Sequence, residues 1–178
     1  MSATTIARNY AEVLFDLGER GGRTEDFAGL IDAVAGAIET APQIQDALMS
    51  PRIPKQEKAR IIGAALPKAP QEFVRFLQAV VKRGRQQLFG VIATEYNGLL
   101  DIKLNRIRAG ITLARRADEK LQRSIQDELS KQLGKQVIAT FLEDPAILGG
   151  AIVRVGERIH DGSVRRRMTK LRRALLSR

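Results

Sequence analysis

The apolar residues change their spacing once along this chain, close to Leu104, and no other feature constrains the fold as strongly. From Thr4 to Lys103 they recur with the period of amphipathic helices. Over residues 106–113 they alternate instead with polar residues, which is the period of a half-buried strand. We therefore expect an α+β chain, with a helical bundle domain over residues 1–104 and a small mixed α/β domain over residues 105–178.

Glycines and prolines divide the first part into about six helices. The breaks fall at Gly21-Gly22, at Pro42, across Pro51 to Pro54, across Pro67 to Pro70 and at Gly84. In the second part, strands are predicted at residues 107–113, 137–141 and 151–155, with a tight turn at 156–158 leading into a short segment, 159–160. Asp118 and Ser163 can each cap a helix. The expected fold is a six-helix bundle followed by a small mixed sheet with two helices.

The predicted first helix, residues 4–19, carries more apolar surface than contact with one core requires. Placed at about 100° per residue, its apolar residues cover roughly 200°, whereas a helix on one core needs a stripe of about 100°. Its bulkier strip consists of Ile6, Tyr10, Val13 and Leu17. A similar excess on residues 72–82 consists of Phe73, Phe76, Leu77, Val80 and Val81. We expect the first helix to contact a second structure besides its own core.

Positive charge is concentrated in the second part of the chain. Residues 1–104 carry 13 Lys and Arg against 12 Asp and Glu, a net charge of +1, whereas residues 105–178 carry 17 against 8, a net charge of +9. The last predicted helix places arginines around a narrow apolar stripe of Val164, Met168, Leu171 and Leu175. Three interpretations remain open: contact with an acidic partner helix, contact with nucleic acid, or a solvated basic face. Phe141 is the only aromatic residue in this part, which argues against a platform for stacking unpaired bases.

The sequence carries few of the groups that enzymes use. It contains no cysteine, and His160 is its only histidine, so disulfides, thiolate metal sites and histidine-based triads are excluded. Gly149-Gly150 is followed by strand-like residues rather than by a helix start with lysine, so it predicts a tight turn and not a phosphate loop. We expect no catalytic site, no cofactor and no metal, and a structural or solvated role for His160.

No targeting or membrane-spanning segment is predicted. Residues 1–9 have neither the apolar core of a signal peptide nor the arginine-rich character of a transit peptide. The longest apolar stretches, such as residues 147–153, are far shorter than the roughly 20 residues that span a bilayer. We expect a mature cytoplasmic chain.

Residues 148–164, with the sequence LGGAIVRVGERIHDGSV, closely resemble the C-terminal signature of the delta-subunit family of F-type ATP synthases. This family includes the mitochondrial oligomycin-sensitivity-conferring protein. The signature residues expected to have structural roles are Gly149, Gly150, Gly156, Asp161, Gly162 and Ser163. Further similarity lies in residues 7–11, in Ser50-Pro51 with Pro54 and Lys58, and in Gly84-Arg85 with Leu88 and Tyr96. The chain departs from the pattern at Glu157, His160 and Arg166.

The resemblance implies a bacterial-type, non-catalytic subunit of a proton-translocating ATP synthase. Such a subunit is a stator connector, which links the catalytic head to the peripheral stalk so that rotor torque is coupled to ATP synthesis. It implies two partners, the N-terminal helix of an alpha subunit and the C-terminal ends of the b subunits, and no small-molecule substrate. The protein would lie at the cytoplasmic face of the bacterial inner membrane, bound to it only through the complex. A basic nucleic-acid-binding module is the alternative.

The implied contacts can be assigned to particular residues. In the family, the first and fifth helices bind the alpha subunit, and Tyr10 matches the motif tyrosine of the first helix. Periodicity adds the remaining candidates for the same groove, namely Ile6, Val13, Leu17, Phe73, Leu77 and Val80. For the stalk we assign the C-terminal strip with its arginines, namely Met168, Leu171, Arg172 and Leu175.

Overall fold

The computed structural model describes residues 2–176. The predicted domain bounds of 1–104 and 105–178 therefore include three residues, 1, 177 and 178, that lie outside the described range. Within this range the chain forms eight α-helices and four strands. The helices are α1 (Ala3–Arg20), α2 (Thr24–Thr40), α3 (Pro42–Met49), α4 (Lys55–Ala65), α5 (Gln71–Lys82), α6 (Phe89–Lys103), α7 (Glu119–Leu133) and α8 (Val164–Leu176). The strands are β1 (Arg106–Leu113), β2 (Gln136–Glu143), β3 (Ala151–Val155) and β4 (Arg158–Asp161). Short 3-10 turns occupy Gln86–Leu88 and Pro145–Ile147.

The predicted fold class is confirmed: a helical region precedes a small α/β part. The chain divides into two compact units, of which the first ends at Asp101 and the second begins at Ile102. The sequence-based boundary lies close by, after Leu104. The first unit contains α1 to α5 and most of α6, and the second contains the four strands with α7 and α8.

The helices of the first unit begin where the sequence offers a cap or a proline. The Ser2 hydroxyl accepts a hydrogen bond from the backbone N–H of Thr5 at 3.2 Å, which satisfies one free donor of α1. Pro42 occupies the first turn of α3, where its missing N–H costs nothing. Pro54 and Pro70 directly precede α4 and α5. These local signals explain why the predicted number of helices agrees with the structure.

Aromatic side chains and one buried hydroxyl join the helices of the first unit. The rings of Phe27 on α2 and Phe73 on α5 lie 5.4 Å apart between centroids. Tyr96 on α6 is fully buried, and its hydroxyl donates to the backbone carbonyl of Thr24 at 2.9 Å. A Cβ at Gly18 would lie 2.9 Å from that hydroxyl, so α1 approaches this point closely because it presents a glycine there. Tyr96 therefore holds α6 against the start of α2.

The turn between α3 and α4 is held by a buried ammonium group. Lys58 is 5% exposed, and its Nζ donates to the backbone carbonyl of Leu48 at 2.6 Å. The Gln86 side-chain amide donates to the same carbonyl at 3.0 Å. Carbonyls in the last turn of a helix lack intrahelical partners, and these two donors satisfy one of them. The role of Lys58 is thus to tie the end of α3 to α4.

The second unit is built on a mixed sheet with strand order β2-β1-β3-β4. β1 and β2 are parallel and are joined through α7, whereas the β1–β3 and β3–β4 pairs are antiparallel. Asp118 caps α7 by accepting from the N–H of Leu121 at 2.8 Å, and Gly134 ends it at a positive φ of 64°. The buried residues Ala109, Ile111 and Val137 form the centre of the apolar sheet face.

Candidate functional site

The apolar strip predicted on α1 lies at the surface of the first unit. One side of the helix is buried, through Ala7, Ala11, Leu14 and Gly18. Val13, on the predicted strip, is 53% exposed, while Ile6, Tyr10 and Leu17 are half-buried. The structure therefore brings these four side chains together on a face that the domain's own core does not seal. We call Ile6, Tyr10, Val13 and Leu17 the α1 strip.

The assignment of α5 residues to a surface groove needs correction. Phe73, Leu77 and Val80 are all fully buried, at 0% exposure. The wide apolar face of α5 is occupied within the domain, because α5 packs against both α4 and α1 and places Phe73 on the Phe27 ring of α2. These three side chains belong to the core and do not border the α1 strip as an open groove.

Two arginines that follow α5 border the α1 strip at Tyr10. The Arg85 guanidinium lies 5.7 Å from the centre of the Tyr10 ring, which is cation–π distance. Arg83 Nη1 makes a long contact of 3.5 Å with the Tyr10 hydroxyl, and the Phe76 ring meets Tyr10 edge-on at 6.2 Å. The strip is therefore apolar, with two cationic groups beside it at Tyr10. The sequence did not indicate that either arginine lies beside Tyr10, since basic residues at a helix C-terminus are ordinarily explained by the helix dipole.

Each unit also has an apolar cleft that the sequence did not reveal. In the first unit, a cleft of about 250 Å³ is lined mainly by residues of α2, α3 and α4, including Leu30, Val34 and Ile44, and Leu77 of α5 also contributes. In the second unit, an open cleft of about 760 Å³ lies beside α7 and the sheet, lined by Ile107, Leu129, Leu133, Val153 and Val155, with Glu157, Arg158 and His160 also contributing. Only the amphipathic pattern of the elements was visible in the sequence, and it does not tell which faces a neighbour leaves uncovered.

Glycines in residues 148–164 allow two antiparallel backbone segments to approach closely at the base of α8. Gly150 has a φ of 78°, and a Cβ there would lie 2.5 Å from the carbonyl oxygen of Gly162. The N–H of Gly162 donates to the carbonyl of Ala151, and the N–H of Val164 donates to the carbonyl of Gly149, both at 2.9 Å. A side chain at Gly150 would separate these segments, so their close approach needs glycine. Gly156 lies apart from this contact, in the turn between β3 and β4.

Ser163 and Asp161 cap the start of α8. Ser163 is 2% exposed, and its hydroxyl accepts from the backbone N–H of Arg166 at 3.2 Å. A carboxylate oxygen of Asp161 accepts from the N–H of Ser163 at 3.0 Å. Hydrogen bonds from Ser163 hold the pKa of Asp161 below its usual range, and the nearby Arg166 and Arg165 charges add to this. The predicted structural residues thus fix where α8 begins.

The strip assigned to the stalk is exposed along α8. Met168 and Leu171 are each 59% exposed, and Leu175 is 75% exposed. Arg172 is exposed beside them, and Val164 begins the same stripe. The structure therefore brings the four predicted residues together on one helix face. We call Val164, Met168, Leu171 and Leu175 the α8 strip.

A family model described as the ATP synthase delta (OSCP) subunit matches residues 6–175. The chain belongs to this family. Among its relatives, ATP synthase subunit delta of Gemmatimonas aurantiaca is 41% identical over 96% of this chain and 93% of its own length. The proteins of the same name from Desulforamulus reducens and Anaeromyxobacter dehalogenans are 31% and 32% identical, over 97% and 96% of this chain and 96% and 97% of their own lengths. Their coverage shows that the similarity extends along the whole chain.

A solved structure shares the fold. A chain of the Toxoplasma gondii mitochondrial ATP synthase hexamer, determined by cryo-EM, superposes with a TM-score of 0.69 and covers 96% of this chain and 97% of that one. At 18% identity this similarity supports the fold alone.

Membership of the delta family confirms the resemblance seen in residues 148–164 and decides the class of protein. Delta subunits are structural parts of ATP synthase, in its peripheral stalk, and not catalytic ones, so the prediction of a non-enzymatic chain is confirmed. The comparisons give no support to the nucleic-acid alternative. Among residues 2–176, no helix is long and apolar enough to cross a membrane, and no three His, Asp or Glu side chains gather as metal ligands.

Proposed function

We propose that this delta-family subunit is the stator connector between the catalytic head and the peripheral stalk. The α1 strip would bind the N-terminal helix of an alpha subunit, and the α8 strip would bind the C-terminal ends of the b subunits. The observation that carries this proposal is that each compact unit leaves an apolar strip unsealed: the α1 strip is exposed at Val13 and half-buried elsewhere, and the α8 strip is exposed along its length. A connector needs two independent binding surfaces.

The α1 strip suits an amphipathic helix as its ligand. An amphipathic partner helix presents apolar anchors at spacings of three and four residues, and the α1 strip offers apolar side chains at the same spacing. Val13 offers exposed apolar surface to a partner. Tyr10 and Leu17 are half-buried, so surrounding residues of the domain restrict their side chains. Rigid aromatic and aliphatic side chains of this kind lose little conformational entropy on binding.

The mechanism that follows is mechanical. Rotation of the rotor would turn the head as well unless a stator held the head to the membrane part. This subunit would resist that rotation by holding the head and the stalk together, and would transfer no proton and hydrolyse no ATP. It would work at the cytoplasmic face of the bacterial inner membrane and touch the membrane only through the complex.

The test replaces Tyr10 and Leu17 with Asp in the assembled enzyme. Two carboxylates in the α1 strip would have to be desolvated by an apolar partner helix, so the head should be released from the membrane while its soluble ATPase activity is unchanged. The matched control is Thr4→Asp with Asn9→Asp, which adds the same charge at exposed positions of α1. Circular dichroism of the isolated double variant checks that the bundle is folded. Retention of membrane-bound, coupled activity by the folded Tyr10/Leu17 variant would overturn the α1 assignment.

A further inference from the structure

The exposed apolar residues of α8 have the spacing of a coiled coil. Val164, Met168, Leu171 and Leu175 follow one another at steps of four, three and four residues. This is the d-a-d-a sequence of a heptad repeat, in which alternate steps of four and three keep one seam facing a partner helix. Exposures of 40% to 75% along the seam leave it free to be covered.

The residues that flank this seam are basic on both sides. With Met168 at position a, Arg165 and Arg172 occupy the e positions and Arg167 occupies a g position. The segment from Val164 to Leu176 contains no acidic residue. Since e and g side chains meet those of the partner helix, they select the partner by charge.

We propose that α8 is one strand of a short coiled coil whose partner is an acidic amphipathic helix, with an apolar seam flanked by Asp or Glu. A second copy of this chain is a poor partner, because Arg165, Arg167 and Arg172 would face arginines of the same kind. Nucleic acid would use the arginines but would leave the apolar strip uncovered, since phosphates contact charged groups. An acidic amphipathic helix would cover the apolar strip and also pair with the flanking arginines.

The base of α8 strengthens this assignment. The close approach of Gly150 to the Gly162 carbonyl and the bond from the Val164 N–H to the Gly149 carbonyl fix the first turn of the helix. The Ser163 hydroxyl caps the same turn. A helix that is already formed and held at one end loses less entropy when it pairs than one that must fold on binding. The apolar seam of α8 is therefore preorganised for binding.

This inference rests on the proposed function in one respect: within the ATP synthase, the acidic helix would belong to the b subunits. It predicts that the stretch of stalk helix in contact with α8 carries apolar residues at heptad spacing with acidic residues on either side. The preference of α8 for an acidic partner helix, here called the coiled-coil rule, can be tested without the stalk.

The first experiment adds a designed peptide to the full chain. The peptide is about four heptads, or roughly 28 residues, long and carries Leu at positions a and d and Glu at positions e and g. Isothermal calorimetry and backbone NMR shifts should show binding at α8. The same peptide with Lys at e and g should bind roughly 30- to 100-fold more weakly, since several attractive pairs become repulsive. Equal binding of the two peptides, or no binding of the acidic one, would overturn the proposal.

The second experiment compares two triple variants of the chain with the same change in charge. Arg165→Glu, Arg167→Glu and Arg172→Glu alter the flanks of the seam and should reverse the preference in favour of the Lys peptide. Arg166→Glu, Lys170→Glu and Arg173→Glu alter the opposite face and should leave affinity for the acidic peptide within a few-fold. Equal losses in both triples, or duplex DNA binding that does not depend on Leu171, would show a general polyanion surface instead.

Failure of this inference and failure of the proposed function give different results. If the soluble part of the b subunits binds the chain but is indifferent to the flanking triple, the coiled-coil rule is wrong and the connector proposal stands. If the acidic peptide binds while the b subunits do not, the rule holds and the stalk assignment fails.

Discussion

Helices α5 and α8 both have apolar faces in the sequence, but the structure uses them in opposite ways. The face of α5 is fully covered, and Phe73, Leu77 and Val80 have no exposed surface. The face of α8 is narrower and yet open, with Leu171 more than half exposed. Periodicity tells which side of a helix is apolar, but the neighbours decide whether that side is a core or a surface for another chain.

The largest effect that this contrast predicts is at the centre of α5. Phe73→Ala removes a buried ring that packs on Phe27, and should lower the free energy of unfolding by about 3–5 kcal/mol. Urea unfolding followed by circular dichroism measures it. A loss below about 1 kcal/mol would mean that the α5 face is not a packed core and would restore Phe73 as a partner-binding residue.

A smaller effect is expected from the buried hydroxyl of the first unit. Tyr96→Phe removes the hydrogen bond to the Thr24 carbonyl and should cost about 1 kcal/mol in urea unfolding. Burial, aided by the charge of Glu19, also raises the pKa of Tyr96 well above its ordinary value of 10. The Tyr96 hydroxyl therefore loses its proton at a lower pH in the unfolded chain than in the folded one. The free energy of unfolding should fall as the pH rises above about 10, and it should fall less steeply in Tyr96→Phe. Identical pH profiles for the two proteins would show that Tyr96 is not held protonated by the fold.

The smallest effect on stability is expected on α8. Leu171→Ser replaces an exposed side chain and should change the free energy of unfolding by less than about 0.5 kcal/mol. The same variant should lose affinity for the stalk, because it removes an apolar anchor from the seam. Unfolding and co-purification with the b subunits measure the two quantities separately. A large loss of stability would show that the α8 strip is internal packing, which would remove the contrast with α5.

Much of the fold could be predicted because its signals are local. Proline and glycine positions divided the bundle into its helices, and the change of period near Leu104 located the sheet. The cap residues Asp118 and Ser163 each accept a hydrogen bond from a backbone N–H three positions away. Such features need no knowledge of the rest of the chain.

The parts that could not be predicted depend on distant residues. Arg83 meets Tyr10 across 73 positions, and nothing in either local sequence indicates the contact. The burial of Phe73 likewise depends on Phe27, which lies on another helix. Residues 148–164 carry a family signature, but the need for glycine at position 150 depends on the Gly162 carbonyl, which lies 12 positions away along the chain.

The close approach of Gly150 to Gly162 separates the attachment of α8 from its exposed apolar strip. The bonds that hold the base of the helix come from main-chain atoms of Gly149, Ala151, Gly162 and Val164, and from the Ser163 cap. The side chains beyond the first turn take no part in these bonds, so they can be exchanged without dismantling the support. If α8 binds the stalk as proposed, substitutions beyond its first turn would change which stalk helix it accepts, for example one of different charge, while the rest of the molecule keeps its sequence.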